Sequence, residues 1–374
     1  MSCNVHLIII SLLILKLCKN VYTSNICLDL NKKDGMYLLS FTIGRHFTQY
    51  DIDLQSDIVI IDYSNYKANS PNTGEVIEDN SRKVFSYKNY ILKDTFIIPN
   101  TINTKLIFQS VSNSIFSPEK SFGLSVYGRK KEYSFLYQLK ENNIIDHLSF
   151  TLIPKESNKH SICLGNYDGN FTKYKFKGEF NVIEHKQNVS SNIHWYLNMT
   201  HVSFNNTLYK NTMKTYFQSN LKYIIAPESF FDYWYQTDLF SLQCKLAQHY
   251  HYSIVCDCEA ISHLPTFKFI FEKYTIGIDS SFLYEKKNNE CEFNIIKMNG
   301  GSKWVIGTDI LDKMVLNLNF ETNSLKLYSN VISIEKNDIA ITPNNDLKHF
   351  LIYLCLTLIF GIVIDQITIC YLLC

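Results

Sequence analysis

One pattern recurs along most of this chain and limits what it can fold into. Tyr37–Ile43, Tyr50–Ile61, Thr95–Pro99, Lys105–Phe108, Phe150–Ile153, Phe267–Phe271 and Val315–Phe320 are short apolar or alternating runs. They are rich in Ile, Phe, Tyr and Val and bounded by Asn, Asp, Ser and Gly. β-Branched and aromatic residues with a period near two suit a pleated, half-buried surface, so each run reads as a strand. Helical periodicity is limited to Ser134–Asn142 and Glu228–Asp238, and the polar stretch Ser64–Arg82 reads as a long loop. The expectation is a mostly β body with a few short helices, and there is no internal repeat, heptad pattern or low-complexity tract.

Composition removes several functional classes. Basic and acidic residues number 36 and 35, so no broad positive field is available to neutralise nucleic-acid phosphates. Apolar residues make up 46% and aromatics 14%, too much core-forming material for a disordered chain. The chain lacks a Gly-x-Ser-x-Gly elbow, a His-Glu-x-x-His zinc motif and a Walker loop, which leaves serine hydrolase, zincin and nucleotide-phosphate readings unsupported and predicts no cofactor.

Both ends are apolar. Leu7–Leu15, followed by Val21-Tyr22-Thr23-Ser24, predicts a secretory signal peptide over residues 1–23. Residues 350–374 carry one charge, Asp365, and are long enough to span a bilayer, which predicts a transmembrane anchor. A glycolipid-attachment signal is the rival reading, with small polar residues near Asn344, Asn345 and Asp346. Residues 335–349 then form a stalk. Between the ends lie Cys27, Cys163, Cys244, Cys256, Cys258 and Cys291, an even set that predicts disulfides in an oxidising compartment. Asn170, Asn188, Asn198 and Asn205 begin glycosylation sequons. His249-Tyr-His251 with Cys256-Asp-Cys258 offers a possible zinc set, since i and i+2 share a strand face, but disulfides are the expected use of these cysteines and no metal is assigned.

The order of the segments resembles the pepsin-like aspartic proteases over about Gly35–Asn330. Tyr37-Leu-Leu-Ser-Phe-Thr-Ile-Gly44 is similar to the family's opening strand. Tyr50-Asp-Ile-Asp53-Leu-Gln-Ser56 with Asp57-Ile-Val-Ile-Ile61 is similar to the strand bearing the first catalytic aspartate and the apolar strand after it. Phe122-Gly-Leu-Ser125, Ile162-Cys-Leu-Gly-Asn-Tyr-Asp168, His194–Phe204 and Leu264-Pro265 follow in the family's order. Trp304-Val-Ile-Gly307 through Leu311, Asn319 and Leu325-Lys-Leu327 fits its closing pattern without a gap. The resemblance implies a bilobal fold with a long cleft, an N-terminal lobe over 25–190 and a C-terminal lobe over 191–334. It also implies a late bridge, Cys258–Cys291, with Cys256 as the fallback partner.

The family's chemistry needs one carboxylate from each lobe, sharing a proton, within Asp-Thr/Ser-Gly-Ser/Thr motifs. Asp53 matches the first, in preference to Asp51 on the same face, and Ser56 keeps the motif's last position. Leu54 and Gln55 replace the hydroxyl residue and the glycine. No second aspartate is found: either Ala226 stands in its place or the turn before Pro227-Glu-Ser-Phe-Phe231 is deleted. Glu228 fits better as an acidic residue in the first turn of a helix than as a substitute acid. Tyr87 or Tyr90 could be the flap tyrosine over the cleft, though either also fits as a strand aromatic. The expectation is an anchored pseudoprotease that holds a peptide or protein in the cleft. The alternatives are a divergent active endopeptidase and a surface adhesin.

Overall fold

The computed structural model describes residues 26–69, 73–80, 89–112, 120–128, 130–155, 159–167, 169–185, 195–204, 207–248, 252–261, 264–287, 289–297 and 299–337. The expected signal peptide (1–23), most of the expected stalk and the expected anchor (350–374), together with Tyr87, Asn188, Asn205, His249 and His251, lie outside these residues. Among the described residues no helix is long and apolar enough to cross a membrane.

The body is built from two large sheets. The first runs spatially from Phe176–Asn181 through Ser324–Ser329, Val315–Asn319, Ser149–Pro154, Lys159–Leu164, Ile26–Lys33, Met36–Ile43 and His46–Asp53. It continues to Ser121–Gly123, Val59–Asp62, Ile102–Val111, Asn89–Ile98 and Glu75–Asp79. The second sheet passes from Tyr284–Lys287 through Glu290–Phe293, Tyr252–Asp257, Ile295–Lys297, Ile224–Ala226, Trp304–Ile306, Thr207–Phe217, Trp195–Phe204, Phe267–Phe271 and Tyr274–Ile278 to Ser333–Lys336. Two late strands, Val315–Asn319 and Ser324–Ser329, therefore pair in the first sheet although the residues before them belong to the second.

The mostly β expectation holds, for the reason read in the sequence. Met36–Ile43 buries Tyr37, Leu39, Phe41 and Ile43 and leaves the alternate residues half-buried. The first sheet closes on an aromatic cluster in which Phe41 lies 5.1 Å from Phe122, and Phe122 4.6 Å from Phe135. Phe135 comes from the short helix Phe135–Glu141, whose N-cap Ser134 accepts from the Tyr137 amide. The second sheet's core centres on Trp234 and Trp304, packed against Phe230 and Phe267.

The polar stretch 64–82 is not wholly a loop. It holds the helix Tyr63–Asn69 and the edge strand Glu75–Asp79. Buried Tyr66 explains part of this order, because its hydroxyl donates to Asp94 at 2.8 Å, and Thr73 donates to the same oxygen at 2.6 Å. Three disulfides join Cys27 to Cys163, Cys244 to Cys256 and Cys258 to Cys291. The cysteines of the possible zinc set are thus both oxidised.

Candidate interlobe site

Each sheet contains one strand crossing of the same kind. In the first, Ser121–Gly123 runs parallel to His46–Asp53, with Ile52 opposite Phe122 and Asp53 opposite Gly123. It also runs antiparallel to Val59–Asp62, with Val59 opposite Phe122. In the second, Trp304–Ile306 runs parallel to Thr207–Phe217, with Phe217 opposite Ile306, and antiparallel to Ile224–Ala226, with Ile225 opposite Val305. A glycine occupies the tight point of each crossing. A Cβ on Gly123 would lie 2.5 Å from the Ile58 carbonyl oxygen, and one on Gly307 would lie 2.2 Å from that of Tyr223. Only glycine lets the backbones approach this closely.

Matching the crossings on these glycines pairs Ile52 with Phe217 and Val59 with Ile224. The loops between, Leu54–Ile58 and Ser219–Tyr223, are then equal in length. A second pairing agrees: Ile60 opposite Gln109 in the first sheet corresponds to Ile225 opposite Ile296 in the second. The counterpart of Asp53 is therefore Gln218, whose amide donates to Ile306 at 3.0 Å and extends the parallel ladder. This corrects the reading near Ala226. The turn is not deleted, and Ala226 is the counterpart of Ile61, in the buried strand beyond the loop.

The two loops are tied together by a near-symmetric pair of hydrogen bonds. The Ser219 hydroxyl donates to the Ile52 carbonyl. The Gln55 side-chain amide donates to the Phe217 carbonyl at 3.1 Å. Ile52 and Phe217 are themselves counterparts, each one residue before Asp53 or Gln218. Leu54, the counterpart of Ser219, has no hydroxyl, and Gln55 supplies the reciprocal donor from one residue further on. Gln55 is fully buried, and its side-chain oxygen accepts from the Trp195 amide at 3.2 Å. The Trp195 indole nitrogen donates to Leu54 at 2.7 Å, and its ring stacks on Phe217. Loss of the motif glycine thus becomes a buried polar seam rather than a steric conflict.

Asp53 is 7% exposed, and its Oδ1 accepts from the Gln55 amide at 2.8 Å. The buried Ser56 hydroxyl donates to Ile58, and the Ser56 carbonyl accepts from Ser125. Tyr90 lies in the strand Asn89–Ile98, and its ring sits 5.1 Å from Tyr63. Glu228 opens the helix Glu228–Trp234 and accepts from the Gly300 amide at 2.8 Å, with Lys297 3.7 Å away, so it is held in the first turn.

A charged cluster adjoins Gly307. Asp312 forms an ion pair with Lys32 and accepts from Tyr37 at 2.6 Å and from His160 Nε2, 2.9 Å away. Burial raises the Asp309 carboxyl to about 6 against the lowering pull of Lys222 and Lys32, and its Oδ2 is buried without a hydrogen-bond partner. Burial also lowers the His160 imidazole. Among the described residues no cluster of His, Cys, Asp and Glu could hold a metal ion.

The family model described as Eukaryotic aspartyl protease matches residues 88–329. The chain belongs to the eukaryotic aspartyl protease family. The match covers the second sheet's crossing and the closing strands, whereas Asp53 lies before it. No curated protein matches the chain. The strands Val315–Asn319 and Ser324–Ser329 return to the first sheet and so join the two halves of the body. Sequence reading missed Gln218, Ser219 and the seam role of Gln55. One signal could have found Gln218. Asp53 and Gln218 are each followed by a loop of the same length and then an apolar triplet, Val59-Ile60-Ile61 or Ile224-Ile225-Ala226.

Proposed function

We propose that this aspartyl protease relative is a pseudoprotease: it binds a peptide or protein segment in the cleft between its lobes and does not hydrolyse it. The observation that carries this reading is the pairing of Asp53 with Gln218 as counterparts. The family's reaction needs one carboxylate to take a proton from water and a second, protonated one to donate to the scissile carbonyl. A carboxamide can offer an N–H to a carbonyl oxygen but does not ionise at any pH the protein tolerates, so it cannot serve as the general acid. Asp53 and Gln218 would together suit a peptide bond as acceptor and donor while leaving it intact.

The protein is further proposed to be a glycosylated, membrane-anchored secretory protein, with residues 350–374 as the anchor. Three disulfides support an oxidising compartment. The sequon residues Asn170 and Asn198 are both exposed, as glycan attachment requires. The experiment that tests the central reading is incubation of the purified protein with a peptide library at acid pH. Cleavage inhibited by pepstatin and lost in Asp53→Asn would overturn it.

A further inference from the structure

We propose that the cleft selects an acidic ligand: a peptide segment whose Asp or Glu carboxylate is held by Lys303 and Lys214, close to Gln218. The inference rests on the cleft-binding reading above and names the class of peptide the cleft takes. Lys214, Tyr216 and Gln218 alternate along one strand and its continuation, so the three share a face. Lys303 comes just before the neighbouring strand Trp304–Ile306 and reaches over the Tyr216 ring, its ammonium 5.1 Å from the ring centre.

Two neighbouring rings each carry one of these cations. The Tyr216 and Tyr196 ring centres are 6.0 Å apart, and the Lys214 ammonium lies 4.8 Å from that of Tyr196. Lys214 also donates to His185 Nε2 at 2.9 Å. A tyrosine face attracts an ammonium but does not neutralise it. Neither lysine has a carboxylate partner among the described residues. Glu184, beside His185 in the sequence, acts instead on Tyr127. Lys222, in the adjoining loop Ser219–Tyr223, differs from both in being paired with Glu285.

The charge selects the occupant. Lys303 is only partly exposed, and burial lowers its ammonium from the usual lysine range with no acidic group opposing the shift. A desolvated cation without a counter-charge is costly, and an incoming carboxylate offsets that cost. An amide or aliphatic side chain would leave it in place, and a basic one would add to it. Gln218 is two residues from Tyr216, about 7 Å along the strand. A carboxylate at the lysines and a peptide bond at Asp53 and Gln218 therefore fit one short extended segment.

The test is affinity selection of short acetylated, amidated peptides on the immobilised full-length protein, read by mass spectrometry. Two peptide sets are mixed, identical except that one carries Asp or Glu where the other carries Asn or Gln. The acidic peptides are expected to be retained about tenfold over their amide twins, the gain of a charge-assisted hydrogen bond. Lys303→Gln should remove most of this preference. Lys214→Gln, at an exposed position, should reduce it about threefold. Lys177→Gln, exposed on the edge strand of the first sheet, should leave it unchanged. Equal retention of the two sets by the unmutated protein would overturn the acidic preference and leave the cleft-binding reading in place. A preference undiminished in both Lys303→Gln and Lys214→Gln would do the same. Retention of neither set would sink that reading and this proposal with it.

Discussion

Gln218 occupies in the second sheet the position that Asp53 occupies in the first: Asp53 ends, and Gln218 directly follows, a strand that runs parallel to a crossing strand, and each sits opposite or beside its glycine, Gly123 or Gly307. Both crossings are present, with a carboxylate at this position on one side and an amide on the other.

The seam formed by Gln55 should carry measurable stability. Gln55→Gly restores the family's residue but leaves the Phe217 carbonyl and the Trp195 amide without their side-chain partner. Buried groups left unpaired cost about 1–3 kcal/mol each, so a loss of about 2–4 kcal/mol in urea denaturation is expected. An unchanged midpoint would mean that the seam contributes nothing.

Asp309 makes stability depend on pH. Its folded carboxyl is raised from 3.8 to about 6, so the folded state favours the neutral form. The unfolded chain ionises first, and stability is therefore lost as pH rises from about 4 to about 6. Asp309→Asn removes that loss. It should match the unmutated protein near pH 4 and exceed it by about 1–2 kcal/mol at pH 7, a figure reduced for the partial solvent access of the group. Thermal melts across this range would check it, and a variant less stable at pH 7 would refute it.

Gly307→Ala should disrupt the second crossing. The added methyl would meet three backbone carbonyls, those of Leu221, Lys222 and Tyr223, none of which can turn aside like a side chain. Overpacking of this kind costs at least about 1–3 kcal/mol. Gly300→Ala is the control, since nothing lies within 4 Å of its added methyl, although its φ of 72° adds a smaller backbone strain. Comparable secretion yields and melting curves for the two variants would contradict the account.

The bridge Cys27–Cys163 spans 136 residues and joins facing positions of two paired strands. Replacing both cysteines with serine should cost about 2–5 kcal/mol. A reduced chain that melts at the same temperature as the oxidised one would oppose this.

Much of the fold was legible because strand chemistry is local. Alternation in Tyr37–Ile43 and the short helical pattern in Ser134–Asn142 depend on neighbours along the chain, and the strand Met36–Ile43 and the helix Phe135–Glu141 appear where expected. The helix and edge strand within 64–82 were not legible, because Tyr66 is ordered by Asp94, a residue distant in sequence. The site was half legible. Asp53 keeps its family residue type and could be matched by it. Gln218 carries an amide rather than a carboxylate, so residue type did not mark it; the loop length and apolar triplet that follow it, and the pairing of Phe217 with Ile306, identify the position. The role of Gln55 was hidden for a similar reason: its partners, Phe217 and Trp195, lie in the other half of the chain.

The most direct test of the central claim is peptide hydrolysis at acid pH by three forms of the purified protein: unmutated, Asp53→Asn and Gln218→Asp. The account predicts no turnover by the unmutated protein above that of Asp53→Asn, since a single carboxylate cannot serve as both acid and base. Any turnover that appears is expected only in Gln218→Asp. Pepstatin-sensitive cleavage by the unmutated protein that disappears in Asp53→Asn would contradict it.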